Sequence, residues 1–223
     1  MIMNYKRITI VCGHYGSGKT NVALNIAYDL KAQGKDVAIA DLDIVNPYFR
    51  TKDSIDELEK RGIELICSEY AGTNLDIPAL PDEMYSVIDK RDKYFVLDIG
   101  GDDRGALALG RLAPAIISEN NYEMIAVVNM YRPLTRDMVS TVEVLREIEY
   151  AGGINFTAII NNSNLGADTR EEDVKASLDY ADDISEEMGL PVIATTVNES
   201  LSEVNIESAV TIKLQNTLLN KEC

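Results

Sequence analysis

The sequence contains no tryptophan and one histidine, and its three cysteines, Cys12, Cys67 and Cys223, show no CxxC or CxC spacing. An odd, scattered set of thiols gives neither a disulfide framework nor a zinc or iron–sulfur ligand pattern, which implies a reduced, cytoplasmic setting. No apolar run approaches the roughly 18 residues that a membrane span needs, and no basic-then-apolar leader opens the chain. Cationic side chains are scarce: 21 Lys and Arg stand against 37 Asp and Glu, for a formal net charge of −16. Binding to a nucleic-acid backbone rests on clustered Lys and Arg, so the balance argues against nucleic acid, and equally against an anionic membrane surface. Much of the acidic excess lies in Asp168–Met188, where nine acids face Arg170 and Lys175. That stretch reads either as a solvated helix face or as a docking surface for a basic protein partner.

What is present is organised around Gly13-His14-Tyr15-Gly16-Ser17-Gly18-Lys19-Thr20, a complete match to the phosphate-binding pattern GxxxxGKT. Before it runs Arg7–Cys12, a β-branched apolar stretch of buried-strand character; after it Val22, Ala23, Ile26, Ala27 and Leu30 recur at helical spacing. This strand–loop–helix context is what the motif requires. Its glycines let successive N–H groups turn toward phosphates, the following helix presents its positive end, Lys19 reaches the β- and γ-phosphates, and Thr20 ligates Mg²⁺.

With 223 residues and no repeat or linker, the chain reads as one domain over residues 1–223. Strand and helix signals alternate. Strands are expected at Val37–Ala40, Ile63–Ile66, Lys93–Asp98, Met124–Val128, Phe156–Ile160 and Leu190–Ala194. Helices are expected at Thr51–Arg61, at Arg104–Ser118 with a kink or early end at Pro114, from Met138 to Gly152-Gly153, and at Ile206–Leu219. Thr169 and Glu172 offer a capping box for the acidic helix, and Tyr70–Pro81 reads as a long functional or mobile loop. The alternation predicts an α/β fold: a doubly wound, mainly parallel sheet with helices on both faces and its ligand at the carboxyl ends of the strands.

The chemistry expected around the loop is phosphoryl transfer, which needs a held Mg²⁺, a placed nucleophile and positive charge on the transferred group. Asp98 ends an apolar strand, where a carboxylate can hold the water shell of a metal; capping the next turn is the alternative. Asp98-Ile99-Gly100-Gly101 fits DxxG, with the Gly101 N–H placed to sense a terminal phosphate. Asp41 and Asp43 lie two apart at another strand end, so one can serve the metal and the other, Asp43, can orient the attacking water; Asp41 as a turn cap is the alternative.

In that order the three segments Gly13–Thr20, Asp41–Asp43 and Asp98–Asp102 resemble the MinD/ParA-type P-loop ATPases, the clan that includes cobyrinic-acid-synthase-like and nitrogenase-iron-protein-like domains. The resemblance implies the same fold, Asp43 as the residue associated with hydrolysis, and Asp102 as a second candidate for arranging water. It also marks a departure: the family loop carries a lysine, reaching across a nucleotide-sandwich dimer, where this chain has His14. A neutral imidazole carries no permanent charge, and Arg50, Arg104 and Arg111 are candidates to supply it. Tyr48 and Phe49, in the segment after Asp43, read as partner contacts or as core.

For the base, Asn161-Asn162-Ser163-Asn164 stands where guanine-specific relatives place NKxD. It lacks the carboxylate that pairs with guanine, whereas an amide suits the edge of adenine. ATP is therefore expected over GTP, with Asn161 and Asn162 as base contacts and the loop after Pro191-Val192 as a second wall. The implied function is a slow Mg²⁺-dependent ATPase that binds ATP and ADP. It would act as a nucleotide switch on a protein partner, in assembly, maturation or activation, with a nucleotide-dependent homodimer as one form. The alternative on the same fold is a small-molecule kinase or ATP-dependent ligase.

Overall fold

The computed structural model describes residues 4–42, 55–67, 82–101, 103–201, 206 and 209–214. Among them an eight-stranded sheet is built from β1 (Ile8–Cys12), β2 (Val37–Leu42), β3 (Glu64–Cys67), β4 (Tyr94–Ile99), β5 (Tyr122–Val128), β6 (Ala158–Asn161), β7 (Val192–Asn198) and β8 (Ala209–Ile212). Its order is β3-β2-β4-β1-β5-β6-β7-β8, and every pairing is parallel. The change of direction on either side of β1 is the topological switch point at which such sheets bind ligands.

The central strands read as unbroken apolar runs because both faces are covered. Ile8, Ile10, Phe95, Leu97, Met124 and Ala126 point into one core, with α4 (Asp103–Glu119), α5 (Met138–Gly152) and α7 (Leu178–Met188) packed on it. The alternate residues Val11, Val37, Ile39, Val96, Ile125 and Val127 point into the other, beneath α1 (Lys19–Ala32) and α2 (Ile55–Arg61). Period-two alternation along each strand thus divides one sheet between two cores. The expected doubly wound α/β fold is observed.

Three local expectations are corrected. Helix α4 runs through Pro114 to Glu119, which overturns the early end expected there. Leu109, Leu112, Ala113 and Ile116 are almost fully buried on either side of an exposed Pro114, and that packing outweighs the cost of about 3 kcal/mol that a helical proline carries. The acidic stretch is two helices, α6 (Glu171–Ala176) and α7, broken at Ser177. Its cap lies one residue further on than expected: the carboxylate of Asp173 accepts from the Arg170 N–H at 2.8 Å, while the Thr169 hydroxyl donates to Gly166 O at 2.7 Å. Finally, Ala209–Ile212 is not helical but a strand parallel to β7. β-branched Val210, Thr211 and Ile212 suit a strand. The amide of Asn25 on α1 holds its end, donating to Lys213 O at 3.0 Å and accepting from Lys213 N at 2.9 Å. Residues 215–219 of the expected helix, and the Tyr70–Pro81 loop, lie outside the described residues. Among the described residues no helix is long and apolar enough to cross a membrane.

Candidate functional site

The carboxyl ends of β1, β4, β5, β6 and β7 converge around residues 13–20. The loop turns on Gly13, Gly16 and Gly18, whose φ values of 157°, 78° and 86° include left-handed conformations that only glycine adopts freely. Ser17 N–H donates to His14 O at 3.0 Å, closing the turn. Gly18, at φ 86°, is the cap of α1 and has no side chain with which to bond the first N–H groups, so the positive end of a 14-residue helix faces the loop. Lys19, the first residue of α1, is buried, as is Ser17, whose hydroxyl has no hydrogen-bond partner among the described residues.

Thr20 Oγ1 donates to Asp98 Oδ2 at 2.7 Å, and Asp98 is fully buried at the end of β4. Asp41 stands beside Asp98 in the β2–β4 register. The three expected metal residues Thr20, Asp41 and Asp98 are therefore on adjoining elements at one end of the sheet. The segment after β4 then meets the loop backbone to backbone. A methyl group on Gly101 would lie 2.2 Å from Gly13 O and 2.9 Å from Tyr15 N. Glycine is needed here for close approach, since no side chain fits between the two segments.

His14 is half-buried and Tyr15 exposed. Nδ1 of His14 lies 2.9 Å from the Tyr15 carbonyl, which places a proton on Nδ1. Of the other expected cations, Arg111 is exposed on α4. Asp43, Arg50, Asp102 and the side chain of Arg104 lie outside the described residues, as do Tyr48 and Phe49.

The two asparagines expected at the base bond to neighbouring segments of the protein. Asn161 is fully buried; its Nδ2 donates to Ser177 Oγ and O at 2.9 and 3.2 Å, and its Oδ1 accepts from Ser163 N at 3.2 Å. Asn162 donates through Nδ2 to Ser17 O at 2.6 Å and accepts through Oδ1 from Thr196 Oγ1 at 2.5 Å. A Cβ on Gly18 would touch Asn162 Nδ2 at 2.2 Å. Asn162 thus braces the phosphate loop from the β6 side, and Asn161 ties β6 to the α6–α7 break. Each amide thus makes bracing bonds within the protein through both its Nδ2 and its Oδ1. Asn162, Asn164, Thr169, Thr196, Val197 and Asn198 line a groove at the ends of β6 and β7.

The loop between β5 and α5 carries no sequence motif, yet it packs against the phosphate loop. Asn129, fully buried at the end of β5, accepts through Oδ1 from Tyr131 N at 3.0 Å and Asn164 N at 3.4 Å. The Thr135 hydroxyl donates to Asn129 O at 2.8 Å, and Asp137 caps α5 by accepting from Ser140 N at 2.9 Å. That last bond holds the Asp137 carboxyl below its usual range. From this loop Arg132 Nε donates to Gly16 O at 2.7 Å. The available signal was a polar residue directly after an apolar strand, at the edge where ligands bind.

Residues 8–216 match the sequence model of the CobQ/CobB/MinD/ParA nucleotide binding domain, CbiA. No curated protein matches the sequence. Among solved structures, the cell division protein FtsY of Thermotoga maritima superposes with a TM-score of 0.60 at 19% identity, covering 85% of this chain and 61% of that one. The signal recognition particle receptor FtsY of Elizabethkingia anophelis in complex with GDP gives 0.55 at 16% identity, covering 87% and 58%. The signal recognition particle 54 kDa protein of Aeropyrum pernix K1 in complex with GDP gives 0.55 at 16%, covering 86% and 41%. At these identities the likeness is one of fold, and the chain spans well under two thirds of the length of these structures.

Proposed function

The chain belongs to the CobQ/CobB/MinD/ParA nucleotide-binding family, and we propose that it is a slow, Mg²⁺-dependent ATPase that works as a nucleotide switch on a protein partner. The observation that carries the reading is the contact of Gly101 with the backbone of Gly13 and Tyr15. A segment that begins at the buried Asp98 and ends against the phosphate loop is placed to register whether a terminal phosphate is bound. The cradle fits a nucleotide: three glycines turn the loop, Lys19 and the α1 N-terminus supply positive charge, and the Ser17 hydroxyl is a buried donor. Thr20 and Asp98, with Asp41 alongside, would hold Mg²⁺, and bound Mg²⁺ would neutralise developing charge between the β- and γ-phosphates. Asp43 and Asp102 remain the candidates to orient water.

Adenine is favoured over guanine. Among the described residues that line it, the groove at the ends of β6 and β7 has amides, hydroxyls and apolar groups and no carboxylate, and it is a carboxylate that satisfies both N1–H and N2–H₂ of guanine. Within this reading Asn162 and Asn198, which both line the groove, offer amides to the base.

The test is molar mass and nucleotide affinity of the full chain by light scattering and calorimetry, with Mg-ATPγS, Mg-ADP and Mg-GTPγS. The reading expects binding of the adenine nucleotides, at least tenfold weaker binding of the guanine analogue, and a change in mass or protease protection between triphosphate and diphosphate. Identical behaviour with ATPγS and ADP, together with turnover that rises only when a small metabolite is added, would replace the switch with a small-molecule kinase or ligase.

A further inference from the structure

Arg132 lies half-buried on the β5–α5 loop, and its stem packs over Gly16: a Cβ on that glycine would sit 3.4 Å from Arg132 Cδ. Nε donates to Gly16 O at 2.7 Å. The residue is held from both sides, by its own N–H to Asn129 O at 3.3 Å and by Thr135 N–H to Arg132 O at 3.1 Å. The next layer is buried too. Thr135 O accepts from Tyr180 OH at 2.9 Å, and Met130 N–H donates to Ser163 Oγ at 3.1 Å, so β5, β6 and α7 together fix the loop. Arg132 is thus set in place without help from any ligand.

What the guanidinium does with its other donors is the informative part. An arginine presents five N–H donors in a planar fork, and Nε uses one. Among the described residues neither Nη1 nor Nη2 has a hydrogen-bond partner, and no carboxylate pairs with the side chain, in a chain of net charge −16. A guanidinium fixed through Nε, with both Nη groups still able to donate, suits a bidentate oxyanion, for which Arg is better shaped than Lys. The loop that it grips is the one whose glycines turn N–H groups toward phosphate.

The geometry points to Arg132 as a phosphate-binding residue of the same chain, supplying a permanent cation at a loop in which His14 stands where the resemblance expects a lysine. This rests on the nucleotide reading above and deepens it. By the resemblance noted earlier, related loops take that charge from a lysine of a second copy; here one copy holds it ready-made, so neutralising the phosphate tail does not require dimerisation. Arg50, Arg104 and Arg111 are not needed for this role.

The experiment is calorimetric titration of the full-length protein with Mg-ATPγS and Mg-ADP, for wild type, Arg132→Ala, Arg132→Lys, Arg132→Gln and the charge-matched control Arg136→Ala. Arg136 lies on the same loop, is highly exposed, and pairs only loosely with Asp137. Expected is a loss of tenfold or more in ATPγS affinity for Arg132→Ala, with less than threefold for ADP, a shallower dependence of ATPγS affinity on salt, partial recovery in Arg132→Lys, and change within twofold in Arg136→Ala. Arg132→Gln keeps a donor for Gly16 O but not the charge, and the same selective loss is expected there. That variant decides the matter if Arg132→Ala melts early. Unchanged affinities overturn the proposal, and so does an equal loss for both nucleotides, which would make Arg132 only a brace for the loop. If the wild-type protein binds neither nucleotide, the reading of the loop itself fails, a result distinct from either of these.

Discussion

Thr20 and Asp98 lie on separate elements, at the start of α1 and the end of β4, yet Thr20 Oγ1 donates to Asp98 Oδ2 at 2.7 Å in a fully buried carboxylate environment. The bond sets the hydroxyl and the carboxylate side by side, the arrangement in which one cation shell can be shared. Replacing Asp98 by Asn retains an acceptor for Thr20 but removes the charge. The melting temperature should change by only about 2 °C, whereas the tightening of ATPγS binding by Mg²⁺ should fall about tenfold or more. Titrations with and without Mg²⁺ measure this, and an undiminished Mg²⁺ effect in Asp98→Asn would remove Asp98 from the metal site.

Gly101→Ala tests the contact between the segment after β4 and the loop. The added methyl would meet Gly13 O at 2.2 Å and Tyr15 N at 2.9 Å, both backbone atoms that cannot swing aside. Overpacking of this kind costs about 1–3 kcal/mol, which is a fall of several degrees in melting temperature for a domain of this size. Nucleotide affinity should fall by roughly tenfold as the two segments part. Wild-type melting and binding in this variant would mean that the contact is dispensable.

Arg7 and Glu119 form a buried, two-pronged ion pair at the opposite end of the sheet, and Arg7 also donates to the carbonyls of Val87, Lys90 and Lys93 at 2.9, 3.1 and 3.2 Å. Removing one partner of such a pair costs about 3–5 kcal/mol. Arg7→Met should reach that range because three carbonyls lose their donor as well, while Glu119→Gln, which keeps an acceptor, should cost less. Urea unfolding midpoints give the comparison. Equal midpoints in the two variants would show that the carbonyl bonds contribute little.

Burial pushes the Tyr180 phenol up to about 12 from an ordinary value of 10. Its hydroxyl donates to Thr135 O at 2.9 Å and lies 2.9 Å from Thr141 Oγ1. The folded protein holds this proton more tightly than the unfolded chain, so the associated stability is complete below pH of about 10 and is lost as pH rises from there toward about 12. Tyr5 is raised in the same direction, chiefly by burial and then by Asp29. Denaturant unfolding of wild type and Tyr180→Phe across pH 8 to 11.5 should show a shallower alkaline decline in the variant. Parallel curves would show that Tyr180 does not contribute to it.

The phosphate loop was legible because its chemistry is local. Glycines at fixed positions, a lysine and a threonine must follow one another for the backbone to wrap a phosphate, so the pattern is written in consecutive residues. Asp98 was legible for a related reason: a carboxylate at the end of an apolar strand stands out against its neighbours. The parallel, two-faced sheet followed from unbroken apolar strands alternating with helical spacing. Other features depend on pairings distant in sequence. Helix α4 runs past Pro114 because buried residues on both sides hold it, and Ala209–Ile212 becomes a strand because β7 offers an open edge. Asn161 and Asn162 have the residue type of a base contact, and only the fold adds the bonds their amides make to Ser177, Ser17 and Thr196. Arg132 carried no motif, and only the Asn129-centred loop, folded against β6 and α7, sets its guanidinium on Gly16. A side chain's type shows which bonds it can make, and the packing of remote segments chooses among them, because each buried donor and acceptor must find a partner once water is excluded.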